Sequence, residues 1–275
     1  MTFSARKIIL KTRKQVFGEM LGNNASMFQG EGFEFAELRE YAYGDDVRKI
    51  DWKTTAKLRR PYIKIYHEER QLNVTVSLML NGSTFFGTAR PKHEYMSELV
   101  AILGFSAVKN SDLFSQMIYA DRLYRYSKPS KKTFAVGQEL EAALAFDPLG
   151  KKGDFRGWTD TLFQRVDRKS LMFLVSDFVG EIDLRLLSKK HDLFVIIVRD
   201  RFEEHPKSLG HLRLVDSESG RGFEGDINAA ALSKYTAALK ENDHKLYRQL
   251  RKNGIRYAKL YTDEDPFVKL TKRMR

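Results

Sequence analysis

The sequence predicts an α/β fold: a doubly wound, mostly parallel sheet from about residue 70 to the end, with a smaller N-terminal subdomain before it. Three observations carry this. The runs Asn73–Leu80, Ser170–Ser176 and Asp192–Val198 are nearly continuous in apolar residues, as central parallel strands covered on both faces must be. Between the first two, Met96, Leu99, Val100, Leu103 and Ala107 recur at helical spacing. The chain has 275 residues, of which 42% are apolar and 31% charged, an ordinary globular composition at a length that supports a sizeable core.

The elements follow in order. Lys7–Met20 reads as a short basic helix, and Phe33–Lys57 fits neither helix nor strand. Tyr62–Tyr66 alternates as a strand does, and Asn73–Leu80 is a more buried one. His93–Val108 is a helix, Phe114–Ala120 and Leu123–Tyr126 a pair of short strands, and Leu140–Phe146 a helix. The strands Ser170–Ser176 and Asp192–Val198 flank a helix at Ile182–Lys190. Asp226–Asn253 is a long helix, with Gly254 where a left-handed cap is wanted. A strand at Ile255–Tyr261 and a helix at Pro266–Met274 complete the chain, so residues 1–69 and 70–275 are expected to be separate domains. Ligands of such sheets bind outside the carboxyl ends of the strands, which directs attention to Asn81–Phe85, Asp177–Gly180 and Asp200–Glu204.

Composition excludes several chemistries. With no cysteine, disulfides, thiolate metal sites and cysteine nucleophiles are ruled out. The six histidines are scattered without metal-ligand spacing. Gly30-Glu31-Gly32 is no dinucleotide fingerprint, since no strand leads into it, and neither a Walker lysine motif nor a Gly-x-Ser-x-Gly elbow occurs. Asp200 and Glu203 read as a salt-bridged or capping pair. The longest apolar runs, Leu171–Val175 and Leu193–Val198, are far shorter than a membrane span. Ile8–Leu10 is cut short by Lys11, so no signal peptide is expected and a cytoplasmic location is. The net charge of +12 gathers at Arg6–Lys14 and from Lys245 to Arg275. It reads as solvated helix faces, with nucleic acid, anionic lipid or an acidic protein as the partners it would favour.

The segment from Gly30 to Lys53 is distinctive: GEGFEFAELREYAYGDDVRKIDWK. It closely resembles the hallmark of the DUF58 family, roughly G-x-G-x-E-F-x-x-x-R-x-Y-x-x-G-D-D-x-R-x-I-D-W. Ser176-Asp177-Phe178, the Asp200/Glu203 pair and Gly254-Ile255 are similar to that family too, so the resemblance spans about residues 10 to 270. It implies a von Willebrand A-like domain and an adaptor, not an enzyme, working with a MoxR-type AAA+ ATPase in a chaperone-like role toward a client protein. The carboxyl edge of the sheet and the hallmark segment would be its binding surfaces. The partner-binding candidates are Glu34, Phe35, Arg39, Tyr41, Gly44, Asp45, Asp46, Arg48, Asp51 and Trp52. Their mixed charges allow two readings, a self-satisfied ion-pair network or a docking surface. Nothing marks one of the acids as catalytic.

The resemblance also implies a metal-ion site. Many von Willebrand A domains hold a divalent ion with an Asp-x-Ser-x-Ser loop, a Thr and a later Asp, all hard oxygen donors. Here the corresponding MIDAS-like residues are Asn81, Ser83, Thr159 in a loop, and Asp177, with Phe85 in place of the second Ser. Asn for Asp removes a charge and Phe removes an oxygen, so weak or no Mg²⁺ binding is expected. Thr159 as a helix N-cap and Asp177 as a cap on the following helix are the plainer readings. A basic nucleic-acid-binding protein is the alternative function, and the basic termini allow peripheral contact with anionic membrane lipid.

Overall fold

The computed structural model describes residues 3–18, 35–66, 71–207 and 210–274. In chain order its elements are α1 (Phe3–Gly18), β1 (Phe35–Glu40), α2 (Trp52–Leu58), β2 (Tyr62–Tyr66), β3 (Asn73–Met79), α3 (Lys92–Lys109), β4 (Leu113–Tyr119) and β5 (Leu123–Tyr126). There follow α4 (Thr133–Leu144), α5 (Phe155–Arg165), β6 (Leu171–Ser176), α6 (Arg185–Lys190), β7 (Asp192–Arg199) and α7 (Arg201–Glu204). The last are β8 (Gly210–Val215), β9 (Gly222–Ile227), α8 (Ala229–Lys252), β10 (Arg256–Tyr261) and α9 (Pro266–Met274). Two compact units result: Met1–Met27 with Asn73–Arg275, and Phe28–Leu72.

The large unit is built on a six-stranded sheet in the order β10-β7-β6-β3-β4-β5. All neighbours are parallel except β4 and β5. The chain runs outward from β3 to β5, then crosses back to β6 on the other side of β3. This is the reversal of strand order that opens a crevice at the carboxyl ends of β3 and β6. The near-continuous apolar strands are explained by helices on both faces. One helical layer joins α1, α3, α4 and α9. On the other face Trp158 and Leu162 of α5, Leu187 of α6, and Leu246 and Leu250 of α8 pack on Met79, Met117, Met172, Leu174, Val195 and Ile197. The expected α/β architecture is therefore what the chain adopts. No helix of the described residues is long and apolar enough to cross a membrane.

The structure differs from the sequence reading at several points. The expected boundary at residues 69/70 separates α1 from the sheet, yet α1 lies in the large unit. There Ala5, Thr12 and Val16 are buried, Lys11 Nζ reaches Glu98 (2.8 Å) and Asp265 (3.1 Å), and Lys109 Nζ donates to Val16 O (2.7 Å). Helix α5 replaces the loop expected around Thr159. Asp154 caps it, its side chain accepting from Gly157 N, and Phe155, Trp158 and Leu162 form its buried stripe. The β8–β9 hairpin was not anticipated, and it delays α8 to Ala229, where Asn228 is the N-cap. Asp200 and Glu203 form a capping box on α7, and Gly254 adopts φ +63 after α8, both as expected.

His191 ends α6, its N–H bonded to Leu187 O at 2.9 Å, and its imidazole is buried. Burial, aided by the neighbouring Lys190, pushes its pKa from 6.5 down to about 4. Above pH 6.5 folded and unfolded chains are both neutral there. As the pH falls from 6.5 toward 4 only the unfolded chain takes up the proton, so stability is lost, on the order of 2 kcal/mol. Urea titrations across this window are expected to show a flatter pH dependence for His191→Leu than for the unmodified chain.

Candidate functional site: a sealed charge cluster at the switch point, and the hallmark unit

The loop after β3 passes Asn81 and turns through Gly82–Phe85 as a 3-10 turn. The loop after β6 carries Asp177, which is fully buried. The crevice brings the two together: Ser83 Oγ donates to Asp177 Oδ2 at 2.5 Å. The next residue, Phe178, takes φ +50, a left-handed backbone unusual for a bulky side chain. Its ring is held between Phe155 and Trp158, at centroid distances of 6.3 and 6.1 Å, and this packing offsets the strain. Asp177 therefore faces inward and caps no helix; α6 begins only at Arg185.

The decisive partner comes from α3. Lys92, its first residue, sends Nζ to Asp177 Oδ2 at 2.9 Å and to Glu203 Oε1 at 2.5 Å. Lys92 and Asp177 side chains have no solvent exposure at all. Glu203 Oε2 in turn accepts from Asp200 N at 2.9 Å, fixing the carboxylate. Burial alone pushes the Lys92 ammonium toward the neutral form, but Asp177 and Glu203 outweigh it and hold its pKa above the ordinary 10.5. Burial likewise works against an ionised Asp177, and Lys92, Arg199 and Ser83 together keep its pKa below 3.8. The cluster is thus a set of full charges in the interior.

A second cation extends it. Arg199, at the end of β7, donates through Nη1 to the Asp177 carbonyl and through Nη2 to Asp243 Oδ1 (2.6 Å). Asp243 Oδ2 meets Lys259 Nζ at 3.3 Å, and Lys259 also pairs with Glu204. Asp200 accepts from Thr88 N (2.7 Å), Phe202 N (2.9 Å) and Thr262 Oγ1 (2.7 Å). The carboxyl ends of β6, β7 and β10 are therefore tied by paired charges.

Of the expected metal residues, Ser83 and Asp177 meet, and the other two do not join them through any bond. Asn81 Nδ2 donates to Glu218 Oε1 at 2.6 Å, and Thr159 Oγ1, inside α5, donates to Arg156 O at 2.9 Å. The turn between β8 and β9 covers the edge: Gly150 N bonds Ser217 O at 2.8 Å, and a Cβ on Gly82 would lie 2.3 Å from that oxygen. Asn81, Thr159 and Asp177 are all buried, so they present no open binding surface. The residues do not fit a divalent ion, because the Lys92 ammonium already sits on the carboxylate the ion would need.

The sequence reading missed Lys92, and a signal for it exists. A lysine in the first turn of a helix opposes the helix dipole. Directly after Pro91, such a residue must be held by something else. Arg199 is legible too, as a charge closing an apolar strand run.

The hallmark segment forms the small unit. β1 pairs antiparallel with β2, and the intervening residues fold over 3-10 and α-helical turns. Arg39 Nη2 contacts Asp45 Oδ1 (2.8 Å) and Oδ2 (2.9 Å), while Asp45 Oδ2 also accepts from Ala42 N (2.8 Å). Between them Gly44 takes φ +104, as this turn requires. Asp46 accepts from Arg48 N and Nε (3.0 and 3.1 Å) and caps the 3-10 turn. Asp51 caps α2 by accepting from Lys53 N (3.2 Å) and Thr54 Oγ1 (2.9 Å). Tyr41 N donates to Pro61 O at 2.8 Å, joining the ends of β1 and β2. Arg39, Asp45, Asp46, Arg48 and Asp51 are thus used inside the unit, whereas Tyr43 (105%), Trp52 (70%), Val47 and Leu58 are exposed. Glu34 lies outside the described residues, and Phe35 is described only as the first residue of β1.

Among solved structures the chain is similar to the conserved hypothetical protein BatB of Bacteroides thetaiotaomicron (TM-score 0.48, 11% identity, 74% of this chain and 97% of that one). It is also similar to the SpRpn10 VWA domain (TM-score 0.39, 8% identity, 74% of this chain and 93% of that one). In sequence it is 25% identical, over 267 residues, to uncharacterized proteins of Mycobacterium tuberculosis and Mycobacterium bovis, covering 94% of this chain and 84% of theirs. The model of the family described as "Protein of unknown function DUF58" matches residues 37–245, which takes in most of the hallmark unit together with Lys92, Asp177, Arg199 and Glu203, and the chain belongs to that family.

Proposed function

We propose that this protein is a non-enzymatic interaction protein, an adaptor that docks a MoxR-type AAA+ ATPase through the hallmark unit and serves a chaperone-like assembly role toward a client protein. The observation that carries the reading is the division of labour within residues 35–66. The acids and arginines hold the unit's shape, while Tyr43, Val47, Trp52 and Leu58 are left on its surface. Exposed aromatic residues on a pre-shaped frame are what protein interfaces concentrate as anchors. The partner class is supplied by the family resemblance. The sealed charge cluster supports the non-enzymatic part, since its carboxylates are paired with cations and shut off from substrate. A cytoplasmic location is part of the same proposal.

The test is capture of the cognate AAA+ ATPase by the purified chain. Tyr43→Ala with Trp52→Ala is expected to cut capture at least about tenfold without moving the melting temperature. Replacing Arg39, Asp45 and Arg48 by alanine should cut it too, but by loosening the unit. Equal recovery with all of these variants would remove the hallmark unit from the interface. Retention of a DNA duplex that falls steeply with added salt would instead favour the nucleic-acid alternative.

A further inference from the structure

The fold family implies a divalent ion at the crevice between β3 and β6, and this chain holds a different cation there. We propose that the Lys92 ammonium is a built-in substitute for that ion, tethered to α3 and joining the loops after β3, β6 and β7 without metal. The geometry is that of a bridging cation. Nζ sits 2.9 Å from Asp177 Oδ2 and 2.5 Å from Glu203 Oε1, and Ser83 Oγ completes the same carboxylate at 2.5 Å. The loops that a metal would draw together are drawn together here by one side chain.

Charge explains why an ion cannot share the place. Asp177 and Glu203 already share the Lys92 ammonium, and Arg199, paired with Asp243, sets a second positive charge against the Asp177 carbonyl. A divalent ion entering beside the ammonium would meet a like charge at contact distance. At such a separation the repulsion is strong in the protein interior, and the double charge of the ion doubles it. Asn81, standing where a carboxylate would offset that charge, is neutral and bonded to Glu218. Take the ammonium away, however, and two carboxylates and a hydroxyl remain around the vacated place. These are the hard oxygen donors that Mg²⁺ or Mn²⁺ accepts. Lys92 thus both fills the site and closes it to metal.

The experiment needs no partner protein, so its outcome is separate from that of the adaptor reading. Thermal melting and calorimetry are run with millimolar MnCl₂ or MgCl₂ on the unmodified chain, on Lys92→Ala, and on Lys92→Ala with Asp177→Asn. The unmodified chain is expected to show no heat of binding and no change in melting temperature. Lys92→Ala should melt lower, regain several degrees with Mn²⁺ in a saturable manner, and lose that response when Asp177→Asn is added. Should Lys92→Ala be recovered unfolded, it is refolded with and without Mn²⁺, and refolding only with the ion supports the proposal. Binding of Mn²⁺ by the unmodified chain that Asp177→Asn abolishes would overturn it. So would a folded Lys92→Ala indifferent to both ions, or an unfolded one that neither ion restores.

Discussion

Lys92→Met is expected to lower the free energy of unfolding by about 3–5 kcal/mol, because it leaves Asp177 and Glu203 without their common partner in the interior. Methionine keeps most of the side-chain length, so the loss reports charge more than volume. Adding Asp177→Asn, which also removes the stranded negative charge, should restore part of it. The pH dependence supplies a second check. In the unmodified chain Asp177 is held below its ordinary 3.8, so its contribution is present above that pH and disappears as the pH falls below it. Lys92 is held above 10.5, so its contribution is present below that pH and disappears as the pH rises through the folded value. Lys92→Met should lose the alkaline limb and be least destabilised in acid, where a stranded carboxylate can take a proton. Urea titrations giving a difference under about 1 kcal/mol near neutral pH would mean that the triad carries little of the fold's stability.

Trp158→Ala is expected to cost about 3–5 kcal/mol by a different route. The indole is fully buried between Phe155 and Phe178, and its Nε1 donates to Ser77 Oγ at 2.7 Å. Truncation opens a cavity and strands a hydroxyl under the sheet. It also removes one wall of the packing that keeps Phe178 in its left-handed conformation, so the loop bearing Asp177 should loosen as well. Trp158→Phe keeps most of the volume and loses the hydrogen bond, and should cost about 1–2 kcal/mol. Fluorescence separates the effects. The chain has only two tryptophans, and the other, Trp52, is exposed, so the blue-shifted part of the emission belongs to Trp158.

The sheet was legible because its strands are buried on both faces. Leu171–Ser176 and Asp192–Arg199 need no partner to reveal them, since few contexts other than a covered sheet tolerate such runs. Elements shaped by local polar chemistry were harder to read. Gly153 and Gly157 punctuate the start of α5, and they obscured a stripe of Phe155, Trp158 and Leu162 that was present all along. The segment 35–58 has no period because caps and ion pairs, rather than an apolar face, set its turns. The charge cluster was half legible. Asp177 and Ser83 stand at strand ends, where sheets of this class gather functional residues. Lys92 comes from a helix start more than 80 residues from Asp177, and no one-dimensional pattern links the two. Thr159, which the resemblance places in a metal-binding loop, lies inside α5 instead.

Helix α1 fixes how the chain is connected. Residues on both sides of Phe28–Leu72 belong to the same large unit, so the hallmark unit is an excursion leaving and rejoining one body. A single peptide-bond cut within it would not release α1, which stays seated through Ala5, Thr12 and Val16 and through the bonds of Lys11 and Lys109. The two fragments would travel together in a native gel and part only in denaturant. By the same token the excursion can be exchanged for that of another member of the family, or for a plain linker, with the sheet left to fold around the gap.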